Sequence, residues 1–127
     1  MYGLKGIYFL NRQIEDLFGT EVERGSSSWL PSSDVFETQD RFEVVIELPG
    51  VEENDIELEV KYNTLKVKGE RRVTFEGFRY FQLERGYGGF LRVFVFPSDI
   101  SNNVINARLR DGILYIEVDK NKVLDNL

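Results

Sequence analysis

The feature that most constrains this chain is an alternation of apolar and polar residues with a period of two. In the segment RFEVVIEL, Phe42, Val44, Ile46 and Leu48 share one face. In DIELEV, Ile56, Leu58 and Val60 alternate with Asp55, Glu57 and Glu59. Leu65 and Val67 alternate with Lys66 and Lys68, and Ile105, Ala107 and Leu109 alternate with Asn106, Arg108 and Arg110. Successive side chains of a strand point to opposite faces, so each segment reads as a strand with one face on a core and one in water. The punctuation agrees. Leu48-Pro49-Gly50-Val51 has proline and glycine where a type II turn wants them. Tyr62-Asn63-Thr64 suits a hairpin turn, and Asp111-Gly112 suits a type I′ turn, which needs positive φ at both central residues. Short strands with turns every few residues make an all-β fold, an antiparallel β-sandwich.

Two segments depart from the alternation. FLRVFVF, residues 90–96, is apolar on both faces, which predicts that both are covered. Arg92 interrupts it, and a buried guanidinium is costly unless a carboxylate meets it. Residues 70–88 form a long excursion carrying Phe75, Phe78, Tyr80 and Phe81. Structureless connections of that length are uncommon in compact domains, and such aromatics need a place to dock.

The first residues read differently. Leu10, Ile14, Leu17 and Phe18 fall at helical spacing, with Asn11 as a cap and Gly19 as a stop. A helix this short is marginal alone and must pack on something. The stretch Arg24-Gly25-Ser26-Ser27-Ser28 reads as a flexible linker. The expected organisation is therefore an arm and linker over residues 1–28, a β-sandwich over 29–120 and a short tail over 121–127.

Composition narrows the function. There are no cysteines and no histidines, which removes thiolate chemistry, the commonest general base and the commonest zinc ligand. The serines of the linker have no histidine to activate them. A net charge of −6 disfavours a nucleic-acid partner. No apolar run is long enough to span a membrane, and the start lacks a signal-peptide cleavage pattern, so a cytoplasmic location is expected. Glu52, Glu53, Asp55, Glu57 and Glu59 alternate with apolar residues, which makes them a solvated face before a metal site. Gly86, Gly88 and Gly89 lack the strand-to-helix setting of a phosphate loop. No catalytic residue, metal or cofactor is expected.

Taken in order, LPGV, LKVKGER, ERGYGGFLRVFVFP and ARLRDGILYIEV resemble the α-crystallin domain of the small heat-shock proteins over residues 30–119. The most specific elements are Ala107, Gly112 and Leu114 in an Ala-x-x-x-x-Gly-x-Leu run, and Glu84-Arg85 followed by Gly-x-Phe-x-Arg. The resemblance implies an immunoglobulin-like sandwich with a dimeric building block. It also implies ATP-independent holding of unfolding proteins. In bacterial, archaeal and plant members a strand on the long loop crosses to the partner's sheet, and residues 77–84 occupy that place. Phe78, Tyr80, Phe81, Glu84 and Arg92 then belong to a dimer interface, Glu84 of one chain meeting Arg92 of the other.

The resemblance also implies a hydrophobic groove framed by Ile56 and Leu58 on one strand and Ile105, Ala107 and Leu109 on another. The plainer reading of most of these residues is core packing. An apolar open edge, however, is an association hazard unless it is used. Ile7, Phe9, Leu10, Ile14, Leu17 and Phe18 belong either to a helix packed on its own domain or, as the resemblance implies, to an arm that contacts clients and other subunits. Family members usually end in a tail with an Ile-x-Ile motif. Residues 121–127, NKVLDNL, have no two aliphatics spaced by one residue. That speaks against large cages and leaves the homodimer by strand exchange, with any higher oligomer open. The function expected is that of a holdase for unfolding client proteins. The alternative is a co-chaperone of the related sandwich class that binds one defined chaperone, and an enzyme comes third.

Overall fold

The computed structural model describes residues 29–73 and 77–124; the helix expected at residues 10–18 lies outside them. Seven strands follow in order: β1 (Ser33–Glu37), β2 (Arg41–Glu47), β3 (Ile56–Lys61), β4 (Thr64–Arg71), β5 (Gly88–Val95), β6 (Asn103–Arg110) and β7 (Ile113–Val123). A 3₁₀ turn, Glu53–Asp55, precedes β3. The strands form two antiparallel sheets, one in the order β1-β2-β7-β6 and one in the order β3-β4-β5. The result is the immunoglobulin-like sandwich that the alternation and the resemblance predict.

The alternating faces meet between the sheets. Val44, Ile46 and Leu48 from β2 and its end, Leu65 and Val67 from β4, and Ile116 and Val118 from β7 are all fully buried. Phe90, Phe94 and Phe96 fill the space between them, with Phe96 tilted against Phe42 at 5.0 Å between ring centroids. Each such side chain contributes roughly 1.5–3 kcal/mol by leaving water. FLRVFVF is covered on both faces as expected: Phe90, Leu91, Arg92, Val93 and Phe94 are consecutive buried residues.

The turns take the predicted geometry. The Val51 amide donates to the Leu48 carbonyl, and Gly50 between them has φ +82°, as the third residue of a type II turn must. Asp111 at φ +53° and Gly112 at φ +77° both lie in the left-handed region that a type I′ turn demands. The β3–β4 loop holds only Tyr62 and Asn63. It is pinned to the far sheet's approach: the Phe96 amide donates to the Asn63 carbonyl at 2.8 Å and the Ile100 amide to the Tyr62 carbonyl at 2.8 Å.

The last strand runs through Val123. A bulge near its end lets Asn103 pair with Val123 while Ile105 pairs with Val118. The Asp119 carboxylate accepts the amides of Asn121 and Lys122 there, and Asn103 donates its side-chain amide to the Asp119 carbonyl. Beside it, the Lys120 ammonium meets Glu37 at 2.6 Å, donates to the Thr38 carbonyl at 2.7 Å and stands 5.0 Å from the Phe42 ring centre. This half-buried cluster ties β1 to β7.

Candidate functional site

The expected groove residues occupy two strands that each end a sheet: β3 closes one sheet and β6 the other. Period two decides which side chains turn inward. Ile56 and Val60 on β3 and Ile105 and Leu109 on β6 are half-buried and pack against the core. Leu58, opposite Val67, is 38% exposed, and Ala107, opposite Ile116, is exposed. The two walls thus carry apolar side chains that the protein's own core covers only in part. The outer face of β3 is charged. Glu57 stands opposite Lys68 and their side chains meet at 3.5 Å; Glu59 stands opposite Lys66. Such cross-strand pairs stabilise little when exposed, but they keep an edge soluble.

The expected interface residues divide between two environments. Phe78 and Phe81, on the connection between β4 and β5, are 69% and 93% exposed, and Tyr80 is exposed beside them. Glu84 is exposed on the same connection, where its carboxylate accepts a hydrogen bond from the Gln82 amide. Arg92 is buried on β5, its Nη1 donating to the Pro31 carbonyl at 2.8 Å and its guanidinium carbon 5.6 Å from the Phe94 ring centre. In the protomer the partner that meets Arg92 Nη1 is this backbone carbonyl. The arm residues Ile7, Phe9, Leu10, Ile14, Leu17 and Phe18 lie outside the described residues.

A second guanidinium cluster has no counterpart in the sequence reading. Arg71 ends β4 on the same face as Leu65, Val67 and Gly69, so the strand's own period turns it inward, and it is buried. Its carbon stands 3.9 Å over the Trp29 ring. Its Nε donates to the Gly86 carbonyl at 2.6 Å and its Nη1 to the Pro49 carbonyl at 2.9 Å. Burial, followed by the nearby charge of Arg85, holds the Arg71 pKa below its ordinary value. The signal was present: an arginine two places beyond Gly69 on an inward-facing period. Its partners are distant in sequence, and nothing local names them.

The other polar concavity lies beside Gly69, a pocket of about 370 Å³ lined by Asp55, Glu57, Lys68, Glu70 and Arg72 among others. Its charges satisfy one another: Arg72 reaches Asp55 at 2.8 Å and Glu70 at 3.4 Å. The hydrogen bond to Asp55 raises the Arg72 pKa. Among the described residues, no helix is long and apolar enough to cross a membrane.

Comparison with known proteins places this geometry. Residues 34–126 match the model of the Hsp20/alpha crystallin family. The chain is similar to small heat shock protein C2 of Rickettsia felis, 34% identical over 93 residues, covering 72% of this chain and 60% of that protein. It is also similar to spore protein SP21 of Stigmatella aurantiaca, 30% identical over 115 residues, covering 89% of this chain and 62% of that protein. The chain thus spans less than two thirds of these relatives' length. Among solved structures, heat shock protein 16.0 from Schizosaccharomyces pombe superposes with a TM-score of 0.66 at 29% identity, covering 78% of this chain and 94% of that one. The hspA protein of Xanthomonas axonopodis superposes with a TM-score of 0.63 at 31% identity, covering 75% of this chain and 97% of that one. The sandwich, its strand order and the match over residues 34–126 lead to one conclusion: the chain belongs to the Hsp20/alpha crystallin family, the small heat-shock proteins.

Proposed function

We propose that the protein is an ATP-independent holdase of the cytoplasm that binds partly unfolded proteins along its open β edges and so keeps them from aggregating. One observation carries the reading: β3 and β6 each end a sheet and each turn aliphatic side chains toward a core that leaves them half-covered. An extended apolar segment seated there would bury two aliphatic side chains, contributing roughly 3–6 kcal/mol gross. Ordering and association costs offset most of that. The binding is therefore weak, reversible and indifferent to exact sequence, as holding many clients requires.

The working unit in this reading is a homodimer formed by exchange of the loop that carries Phe78, Tyr80 and Phe81. Their exposure in one protomer supports it, since apolar surface this open marks a site of association. Glu84 crosses with them to join Arg92 of the second protomer. Ile7, Phe9, Leu10, Ile14, Leu17 and Phe18 supply a second, arm-borne surface for clients.

The test is light scattering from a heated model client, with and without substoichiometric protein and with no nucleotide. Suppressed scattering supports the reading. No suppression at large molar excess, with the protein still folded by circular dichroism, overturns it. A stable one-to-one complex with a folded chaperone, without client protection, would replace it with the co-chaperone reading.

A further inference from the structure

The flank of the sandwich between β1 and β5 is closed in a way that the flank between β3 and β6 is not. β1 and β5 each end a sheet. Residues 29–32 cross from the one edge to the other. At β5, the Trp29 amide donates to the Gly89 carbonyl at 3.2 Å and the indole Nε1 to the Gly88 carbonyl at 3.1 Å. Midway, the Pro31 carbonyl accepts from Arg92 Nη1 at 2.8 Å. At the β1 end, the Ser32 carbonyl accepts the Glu47 amide at 2.9 Å. This is a strap rather than a strand, because no continuous ladder holds it.

Its buckle is Trp29. The indole stands edge-to-face on Phe90, 5.5 Å between centroids, and the Arg71 guanidinium covers its ring at 3.9 Å. Arg71 is itself held by the carbonyls of Gly86 and Pro49. Gly86 completes the seat: a Cβ there would stand 2.6 Å from the Trp29 Cβ, so only glycine fits. One side chain thus fixes two things at once, the path into β1 and the base of the long connection at Gly86.

We propose that residues 29–32 form a heat-released strap: Trp29 leaves Arg71 and Phe90 below the temperature at which the sandwich melts. The parts differ in the number of bonds that must break together. Opening the strap breaks a few separate hydrogen bonds and one ring stack. Both sheets keep their ladders, β1-β2-β7-β6 and β3-β4-β5, and the core between them stays closed. Segments held in this way open locally at a lower free energy than the global transition. Among the described residues Arg71 makes no ion pair to resist it; its contacts there are two carbonyls and aromatic faces. An open strap uncovers Phe90 and the carbonyls of Gly88 and Gly89 at the β5 edge, and it frees the base of the long connection. That the uncovered edge then takes extended apolar segments rests on the holdase reading; the opening itself does not.

Trp29 is the single tryptophan of the chain, so its fluorescence reports the buckle and nothing else. The experiment heats the full chain, without client, and follows tryptophan emission and iodide quenching beside far-ultraviolet circular dichroism. In the wild type the emission midpoint should precede the dichroism midpoint by about 5 °C or more, several degrees being what about 1 kcal/mol moves in a domain of this size. Gly86→Ala, which crowds Trp29 while leaving Arg71 intact, should lower the emission midpoint by about 5–10 °C and the dichroism midpoint by much less. If that variant does not fold, Arg71→Met, which removes the cation and keeps the stem, carries the same expectation. Emission and dichroism that melt together in the wild type overturn the proposal, as does a variant that shifts both equally. Because no client is present, these results stand apart from the scattering assay.

Discussion

Replacing Gly69 with alanine should weaken both the fold and the groove. Gly69 sits in the middle of three strands, opposite Ile56 on one side and Phe90 on the other. A Cβ at this position would lie 2.2 Å from the Asp55 carbonyl oxygen and 2.8 and 2.9 Å from Cζ and Cε2 of Phe90. The carbonyl belongs to the backbone that ends the 3₁₀ turn Glu53–Asp55, and Phe90 is 1% exposed, so neither neighbour has free room. Overpacking of this kind costs about 1–3 kcal/mol, and the two clashes argue for the upper half. The stiffer unfolded chain returns roughly 0.4–1 kcal/mol. A net loss of about 1–2.5 kcal/mol corresponds to a Tm lower by roughly 5–15 °C for a domain near 100 residues. The relief must come from moving the 3₁₀ turn and the start of β3, which carries Ile56, so client protection should fall even at temperatures where the variant is folded. Thermal denaturation followed by circular dichroism, with the scattering assay run well below the melt, measures both. A Gly69→Ala protein that melts at or above the wild-type temperature would refute the reasoning, because it would mean that the approach to Asp55 is not tight.

Glu84→Ala should raise the dimer dissociation constant by about 10²-fold, since a desolvated guanidinium stripped of its partner costs on the order of 3 kcal/mol or more; sedimentation equilibrium with wild-type affinity would exclude the pairing. Arg92→Ala should act differently, lowering the melting temperature of the protomer as well, because it also takes the donor from the Pro31 carbonyl. Removing residues 1–24 should reduce client protection and shrink any assembly larger than a dimer, while the dichroism spectrum stays that of a β-sandwich; unchanged mass and protection would show that the arm is idle. At Asp99, hydrogen bonds from the Ser101 hydroxyl and then its amide hold the carboxyl below its ordinary value of 3.8. Its contribution is therefore present above that value and lost as pH falls through the lowered one. Asp99→Asn should remove this part of the acid dependence, so that the melting difference between the two proteins narrows on going from about pH 5 to pH 2; a difference that stays constant with pH would contradict the assignment.

Much of the fold was legible because period two is a strong signal wherever one face is buried. Val44, Ile46, Leu65, Val67, Ile116 and Val118 point where the alternation sends them, and Asp111-Gly112 turns as its residue types require. β1 was not read as a strand. In SDVFE, Val35 packs inward while Phe36, opposite Glu43, is 42% exposed on the other face, so the two apolar residues cancel the pattern. The length of β7 was also hidden. Residues 119–122 follow no period because the Asp119 carboxylate, not a ladder, takes the amides of Asn121 and Lys122. Ile56, Ile105 and Leu109 were legible as inward-facing; that they are only half-covered, and that Leu58 and Ala107 are exposed, follows from sheet order, which no local pattern encodes. The Trp29–Arg71 stack was out of reach for the same reason, since its members lie on different elements brought together only by the closed sandwich.

The two sheets differ in when they can exist. β3, β4 and β5 are consecutive in the chain and pair with their neighbours, so this sheet needs only local closure and one longer connection. The other sheet pairs residue 41 with residue 119, and β2 has no partner on that side until β7 has been made. Long-range pairings form slowly because the loop must close before any contact compensates it. During synthesis the chain therefore carries the apolar face of β2 uncovered through most of its length, and only its final strand completes the core. A protein of this topology passes through a state with its own apolar face open to water, and a chain stopped before Ile113 would remain in it.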